Sequence, residues 1–195
     1  MSAGSAHAMR EGGDGAIYAT TYRHNALGEL TVASDGEAIV GLWMAGQKYF
    51  GSRLPRPFAR NDSLPVFAQA RSWLDRYFAG KRPDPGELPL APRGTAFQRR
   101  VWGILAQIPY GTLRTYADIA DQIAREDGKA CCSARAVGAA NGANPISIIL
   151  PCHRVVGAHG SLTGYAGGIE RKLWLLRHEG ADVGRLTVPK RGTAL

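Results

Sequence analysis

The sequence has few cysteines and lacks a long hydrophobic run. Its 195 residues include 3 cysteines, and two of them, Cys131 and Cys132, are adjacent. An odd number with this spacing argues against a disulfide framework and against a Cys/His metal site, so we expect a reducing, cytoplasmic location and no bound metal. No apolar run approaches the ~20 residues that a membrane span needs. Residues 1–15 lack the hydrophobic segment of a secretory signal and are predicted to be a flexible start.

Acidic residues are scarce in the second half of the chain. The net charge of the whole chain is +8. Residues 1–92 hold 10 Lys/Arg and 9 Asp/Glu, a balance of +1, whereas residues 93–195 hold 14 and 7, a balance of +7. A basic half suggests a polyanionic partner. A solvated basic face that favours solubility would explain the charge equally well, so charge alone does not decide.

Residues 16–92 have the pattern of a small α/β domain. Three short β-branched and aromatic runs at 17–22, 30–33 and 39–43 are separated by turns and predict an antiparallel meander. Residues 51–62 show no period and are predicted as a loop. A helix follows, opened by Ser63 and Pro65 and closed by Gly80. Four prolines at 83–92 then form a stiff connector, which we take as the domain boundary.

Residues 93–183 are predicted to be mostly α-helical. Thr95 and Gln98 form a capping box, Thr115 and Asp118 cap a second helix, and Ser133 caps a third. The second and third helices have the order of a helix-turn-helix. A further helix with leucines at helical spacing ends near residue 180, and residues 184–195 are predicted as a loose basic tail.

The third helix, residues 134–143, consists almost wholly of alanine and glycine. Gly138 and Gly142 each cost about 1 kcal/mol relative to alanine in a helix, so the thin profile needs a reason. One explanation is close packing against a neighbouring helix, and the other is entry into a DNA groove. Its place in a helix-turn-helix, with Arg135 in its first turn, favours the groove.

A second unusual stretch ends an apolar run with Pro151, Cys152, His153 and Arg154. A buried cysteine is usually an inert hydrophobic residue, but a thiol beside an imidazole is also a candidate nucleophile. Adjacent side chains of an extended chain point to opposite faces, so we expect the thiol and imidazole to communicate through water. Glu179 follows the last helix, where a carboxylate needs a cationic partner unless it is a solvated surface residue.

Several motifs in a fixed order then resemble one protein family. The chain carries Arg-Ala-Val-Gly at 135–138, Asn-Pro at 144–145 and Pro-Cys-His-Arg-Val at 151–155. Together with the motifs named below, this order resembles the O6-alkylguanine-DNA alkyltransferases, the methylated-DNA–protein-cysteine methyltransferases of direct DNA repair. The resemblance covers residues 16–183. Its other motifs are Phe97-Gln98, Ile108-Pro109-Tyr110-Gly111, Thr115-Tyr116, Gly164-Tyr165 and Glu179-Gly180.

The resemblance implies an RNase H-like α/β N-terminal domain followed by a winged-helix-like, helix-turn-helix C-terminal domain. It implies irreversible, stoichiometric transfer of the alkyl group from O6-alkylguanine, and from O4-alkylthymine, in double-stranded DNA to Cys152. The implied enzyme acts as a monomer without a cofactor, enters the minor groove and flips the damaged base. Cooperative assembly on DNA stays open.

The resemblance also implies roles for individual residues. Glu179 would orient His153, which would take the proton of Cys152 through water, while Tyr116 and Asn144 would support the leaving base and the active-site hinge. Arg135 would fill the gap left by the flipped base. The other implied DNA-binding residues are Ser133, Ala134, Ala136, Gly138 and Ala139, with Tyr116 shared, and the implied substrate pocket comprises Tyr165, Val155, Ser147 and Gly167.

The chain departs from the family pattern in two places. The segment between Ile123 and Ala134 is longer than the usual turn and carries Cys131-Cys132, either spare buried hydrophobic residues or redox-sensitive thiols. Ser147 is a proline in some members, so the tolerated alkyl size stays open. The four-cysteine zinc module of the adaptive-response sensors is missing, so we expect no transcriptional control. Alkyltransferase-like damage sensors lack the reactive cysteine, whereas Cys152 is present.

Overall fold

The computed structural model describes residues 15–188. Apart from residue 15, the predicted flexible start lies outside the described residues, as do residues 189–195 of the predicted tail. The described part of that tail is not loose, because the backbone of Thr187 exchanges hydrogen bonds with Gly160 and Leu162. Within residues 15–188, no helix is long and apolar enough to cross a membrane.

The N-terminal half contains a four-stranded mixed sheet in the order β3-β2-β1-β4. The predicted antiparallel meander is confirmed by β1 (Tyr18–His24), β2 (Gly28–Ser34) and β3 (Ile39–Met44). The prediction that residues 51–62 form only a loop was wrong. A two-residue strand, β4 (Ala59–Arg60), pairs in parallel with β1. A two-residue strand is too short to show an alternating pattern in the sequence, and its pairing depends on tertiary contact.

Helix α1 (Pro65–Phe78) packs against the sheet through an apolar stripe, and proline occupies its first turn as predicted. Its buried positions recur at helical spacing because one face meets the core. The buried residues are Val66, Phe67, Ala70, Trp73, Leu74 and Tyr77.

The C-terminal half is mostly helical, as expected. It comprises α2 (Ala96–Ala106), α3 (Tyr116–Glu126), α4 (Ala134–Gly142) and α5 (Ile169–His178). Both predicted capping boxes and the Ser133 cap are present. Two short strands, β5 (Arg114–Thr115) and β6 (Val155–Val156), pair in parallel. The remaining elements are 3₁₀ turns at Pro85–Glu87, Cys152–Arg154 and Ala158–Gly160.

The two halves meet along the free edge of β3. The proline connector lies beside this edge, since the amide of Ile39 donates to Pro89 and that of Ala91 to Ile39. Further along, the amide of Leu42 donates to Pro145 over 2.8 Å and that of Ser147 donates to Leu42 over 2.9 Å. The segment that leads to Cys152 is therefore held as an extra strand position on the N-terminal sheet.

Candidate active site

Cys152 lies in a 3₁₀ turn and is 4% exposed. The expectation of an extended chain at Cys152 and His153 was wrong, because the amide of Arg154 folds back onto the carbonyl of Pro151 over 2.9 Å. The sulfur accepts a hydrogen bond from Asn144 Nδ2 at 3.0 Å. The imidazole of His153 is turned to another partner, and its Nδ1 is buried with no hydrogen-bond partner among the described residues.

Asn144 fixes the loop that carries the sulfur. Its Nδ2 also donates to the carbonyl of Leu150 at 2.7 Å, and its Oδ1 accepts from the amide of Ile146 at 3.0 Å. Ile148, inside this loop, has φ 71°, a left-handed conformation that is costly for a β-branched residue. The loop is therefore held in one strained shape by an amide that also contacts the sulfur.

Glu179 is the centre of a buried polar network, not a solvated surface residue. Its carboxylate accepts from Tyr77 Oη at 2.7 Å and contacts His153 Nε2 at 2.8 Å. Arg154 donates to both carboxylate oxygens, at 2.8 and 2.9 Å. Both cationic partners considered from the sequence are thus present, and they offset the unfavourable position of a carboxylate at the end of α5.

Gly111 closes this network from the side of the α2–α3 connection. Its amide donates to Glu179 Oε2 at 3.2 Å. Its φ is 75°, and a Cβ at this position would lie 2.6 Å from the carbonyl oxygen of Glu179. Only glycine fits here, which accounts for the Tyr110-Gly111 motif in physical terms.

The protonation states favour a neutral imidazole beside a protonated thiol. Burial alone would favour a neutral Glu179, but His153 and Arg154 hold its pKa well below the usual range. Burial lowers the pKa of His153, although the Glu179 carboxylate opposes this shift. Burial likewise raises the pKa of the Cys152 thiol, against the Asn144 hydrogen bond and the Lys172 charge. A base is therefore required to make the thiolate.

Lys172, which was not predicted as a site residue, is fully buried in α5 near this sulfur. Its Nζ donates to the carbonyl of Val155 at 2.6 Å, and burial lowers its pKa to about 8. A signal for it was present, since Lys172 stands three and four residues before Leu175 and Leu176 on the apolar face of α5. Arg154 was predicted only as a possible partner of Glu179. In the structure it is buried like His153 and donates to both oxygens of the Glu179 carboxylate.

Two tyrosines and a second asparagine surround the reactive turn. Tyr116, at the start of α3, donates from Oη to the carbonyl of Thr163 at 3.0 Å, and burial raises its pKa to about 12. The hydroxyl of Tyr165 is buried without a hydrogen-bond partner among the described residues. Asn141 on α4, also missed from sequence, points its Nδ2 at the carbonyl of Cys152.

The four residues expected in the substrate pocket are buried or half-buried. Val155 is fully buried and directly follows the reactive turn. A Cβ on Gly167 would lie 2.7 Å from the ring of Tyr165, so the absence of a side chain lets the ring approach. Ser147 is buried and its hydroxyl donates to Gln47, a residue of the N-terminal half.

The outer face of α4 is thin and exposed. At about 100° per residue, Arg135, Gly138, Ala139 and Gly142 share one face. The opposite face buries Val137, Ala140 and Asn141. Arg135 is exposed and forms no ion pair within residues 15–188. The other expected DNA-binding residues, Ser133, Ala134, Ala136 and Ala139, are exposed as well, and Gly138 is half-buried beside Tyr116.

The glycines of α4 are not explained by packing against a neighbouring helix. A Cβ on Gly142 would meet no atom within 4 Å, and one on Gly138 would meet the Tyr116 ring at an ordinary 3.8 Å. The side of α4 that lacks bulky side chains therefore faces away from the neighbouring helices.

The interpretation of the adjacent cysteines as buried hydrophobic residues was wrong for Cys131, which is exposed, whereas Cys132 is half-buried. Within the described part of the chain, no group of three or more His, Cys, Asp or Glu residues could hold a metal ion.

Comparisons with known proteins agree with this arrangement. The model of the ribonuclease-like domain of 6-O-methylguanine DNA methyltransferase matches residues 17–92, and that of its DNA-binding domain matches residues 96–181. A methylated-DNA–protein-cysteine methyltransferase of Haemophilus influenzae is 43% identical over 160 residues, 82% of this chain and 84% of its own length. One of Mycobacterium tuberculosis is 49% identical over 156 residues, 78% and 87% of the two chains.

A solved structure is similar over almost the same span. The crystal structure of Mycobacterium tuberculosis OGT in complex with DNA has a TM-score of 0.67 and 42% sequence identity. The likeness covers 87% of this chain and 94% of that one. The sheet, the helical half and the buried cysteine with its network thus occur in a chain that belongs to the 6-O-methylguanine DNA methyltransferase family.

Proposed function

We propose that this protein repairs alkylated DNA by moving an alkyl group from O6 of guanine, or O4 of thymine, to the sulfur of Cys152. The observation that carries the proposal is the buried Cys152 thiol, hydrogen-bonded to Asn144 and followed by the His153–Glu179 pair. The family membership and the relatives' name support the same activity. Because a thioether is stable, each molecule acts once.

Thiolate formation is the first step of the proposed reaction. The Cys152 thiol gives its proton through a water molecule to Nδ1 of His153, the buried ring nitrogen that has no hydrogen-bond partner within residues 15–188. Glu179 holds the other ring nitrogen and stabilises the imidazolium that forms. Asn144 and Lys172 stabilise the thiolate, since both favour the charged form of the sulfur.

Alkyl transfer is an in-line displacement. The sulfur forms a bond to the alkyl carbon while the bond from that carbon to O6 breaks, and its electron pair goes to the guanine. Tyr116, whose raised pKa of about 12 keeps its hydroxyl protonated, exchanges its bond to the Thr163 carbonyl for a hydrogen bond to the departing base. The step needs no redox partner. The departing guanine anion takes up a proton from solvent and His153 releases the proton of Cys152 to solvent, so the net change moves one proton from the thiol to the base.

Access to the sulfur requires that the base leaves the helix. Cys152 is buried, so its sulfur cannot reach an alkyl group inside a stacked duplex. We assign the duplex contact to α4, whose outer face presents Arg135 and the small residues Gly138, Ala139 and Gly142. This thin face suits the minor groove, with Arg135 in the gap left by the base and Tyr116 beside the backbone. The crystal structure of M. tuberculosis OGT in complex with DNA supports binding of DNA by this chain.

A duplex carrying a labelled O6-methylguanine tests the proposal. We expect one label per protein molecule on Cys152, found by peptide mass spectrometry, with no turnover. Cys152→Ala should remove the transfer, whereas Cys131→Ser, which changes an exposed thiol, should retain it. If the label stays on the DNA while the protein remains bound, the chain senses damage without repairing it. If Cys152→Ala accepts the label as well, Cys152 is not the acceptor.

A further inference from the structure

One turn of the N-terminal half, Met44–Lys48, contacts both sides of the proposed alkyl pocket. We infer that Gln47 in this turn determines which alkyl groups the pocket accepts, acting as a positioning residue through Ser147. The inference rests on the proposed transfer to Cys152. It gives the N-terminal half a role in specificity.

The first contact joins Gln47 to Ser147, 100 residues apart in sequence. Gln47 is 5% exposed and Ser147 is 1% exposed. Gln47 Oε1 accepts a hydrogen bond from Ser147 Oγ at 3.1 Å and another from the amide of Met44 at 3.1 Å. One buried amide oxygen therefore ties the Ser147 side chain to the end of β3. A buried donor left without this acceptor would cost free energy, so the tie is strongly preferred.

The second contact joins the same turn to the loop on the other side of the pocket. The amide of Lys48 donates to the carbonyl of Ala166 at 3.1 Å. Arg171 donates to the carbonyl of Ala45 at 2.9 Å and reaches that of Gly167 at 3.4 Å. A Cβ on Gly167 would also lie 3.1 Å from Met44 Sδ. The Ala166–Gly167 segment therefore packs against the Met44–Lys48 turn, which also holds Ser147.

These contacts hold both sides of the proposed pocket against the same turn. Ser147 lies four residues before Pro151 and five before Cys152, and Gly167 lies beside the ring of Tyr165. The backbone of Ser147 is held by Leu42, and its side chain is held by Gln47, so the Ser147 side chain cannot change its position in the pocket wall unless the Gln47 hydrogen bond breaks. A rigid wall discriminates against a larger group by steric exclusion, and a released wall discriminates less. Replacing the side chain of Gln47 removes its bonds to Ser147 and to the Met44 amide, but it leaves the contacts of Ala45 and Lys48 with the other side of the pocket in place.

Gln47→Met tests the inference, because methionine keeps the length and apolar stem of glutamine but accepts no such hydrogen bond. Single-turnover rates are measured with duplexes that carry O6-methylguanine or O6-benzylguanine. We expect the benzyl-to-methyl rate ratio to rise about fivefold or more relative to the wild type. Gln107→Met, which changes an exposed glutamine at the end of α2, is the matched control and should leave the ratio unchanged.

A double-mutant cycle identifies the path. If Gln47 acts through Ser147, the change in ratio caused by Gln47→Met should largely disappear in the Ser147→Ala background. Equal slowing of both substrates, or an undiminished effect of Gln47→Met in that background, would overturn the inference. Failure of the wild type to transfer either group would instead refute the proposed function. Unfolding midpoints of each variant separate loss of folded protein from a change in ratio.

Discussion

The reactive turn and the outer face of α4 use polar side chains in opposite ways. Around Cys152, the charged groups of Arg154, Lys172 and Glu179 are buried and hydrogen-bonded to one another or to the backbone. On α4, Arg135 is exposed and has no ionic partner within residues 15–188. The two regions lie at opposite sides of the same small helix.

This difference in burial separates the residues proposed for alkyl transfer from those proposed for DNA recognition. A buried group that is fully hydrogen-bonded is already oriented before substrate arrives, which lowers the reorganisation needed in the transition state. An exposed arginine keeps its donors for a partner that the free protein lacks. Substitutions in the first region should therefore reduce stability and transfer together, whereas substitutions in the second should reduce transfer on DNA alone.

The largest expected effect comes from Glu179→Gln. This change removes the anion shared by His153 and Arg154, and breaking a buried pair typically costs 3–5 kcal/mol, so we expect a loss of about that size in the free energy of unfolding. Alkyl transfer should also be lost, since His153 is then no longer held as a base. Urea denaturation and single-turnover rates measure the two effects.

The matched control for Glu179 is Glu126→Gln. Glu126 pairs with Arg100 over 2.9 Å, but its side chain is 48% exposed. Exposed pairs contribute about 0–1 kcal/mol, so this variant should unfold almost like the wild type. Comparable destabilisation of the two variants would contradict the distinction between a buried network and a solvated surface.

Arg135→Ala should give the next effect and should separate the two regions most clearly. We expect transfer from duplex DNA to fall about 30- to 140-fold, which corresponds to the 2–3 kcal/mol typical of an important interface arginine. Transfer from a free O6-alkylguanine base should hardly change. Stability should stay within about 0.5 kcal/mol of the wild type, because the side chain is exposed. An equal loss with both substrates would show that Arg135 supports the fold of the site and not the duplex contact.

The two regions also differ in how far the sequence predicted them. The caps of α2, α3 and α4 depend on residues three positions apart, so Thr95, Thr115 and Ser133 were recognisable directly. The exposed face of α4 follows from the helical period in the same way. Motif resemblance named Cys152, His153 and Glu179, although it did not give the shape of the turn that carries them.

Contacts across long sequence separations were not predictable. Glu179 is held by Tyr77, 102 residues away, and Ser147 by Gln47, 100 residues away. No local sequence pattern predicts such pairs. A cationic partner for Glu179 was therefore only one of two possibilities, the other being a solvated surface residue. The extended conformation expected at Cys152 failed for a related reason, since the Pro151 turn is fixed by the surrounding loop. Tertiary packing overrides short-range preference at these positions.

The smallest expected effect concerns the thin face of α4. Gly142→Ala should stabilise the protein by up to about 1 kcal/mol, because alanine favours a helix and its methyl group would meet no atom within 4 Å. Gly103→Ala in α2 is the matched control, since a Cβ there also meets nothing within 4 Å. Both variants should gain similar stability in urea. Only Gly142→Ala should weaken binding to duplex DNA, because its methyl group would stand on the face shared with Arg135. Equal DNA affinity for the two variants would mean that the outward glycines of α4 serve no close approach to DNA, and the contrast between the two regions would then depend on Arg135 alone.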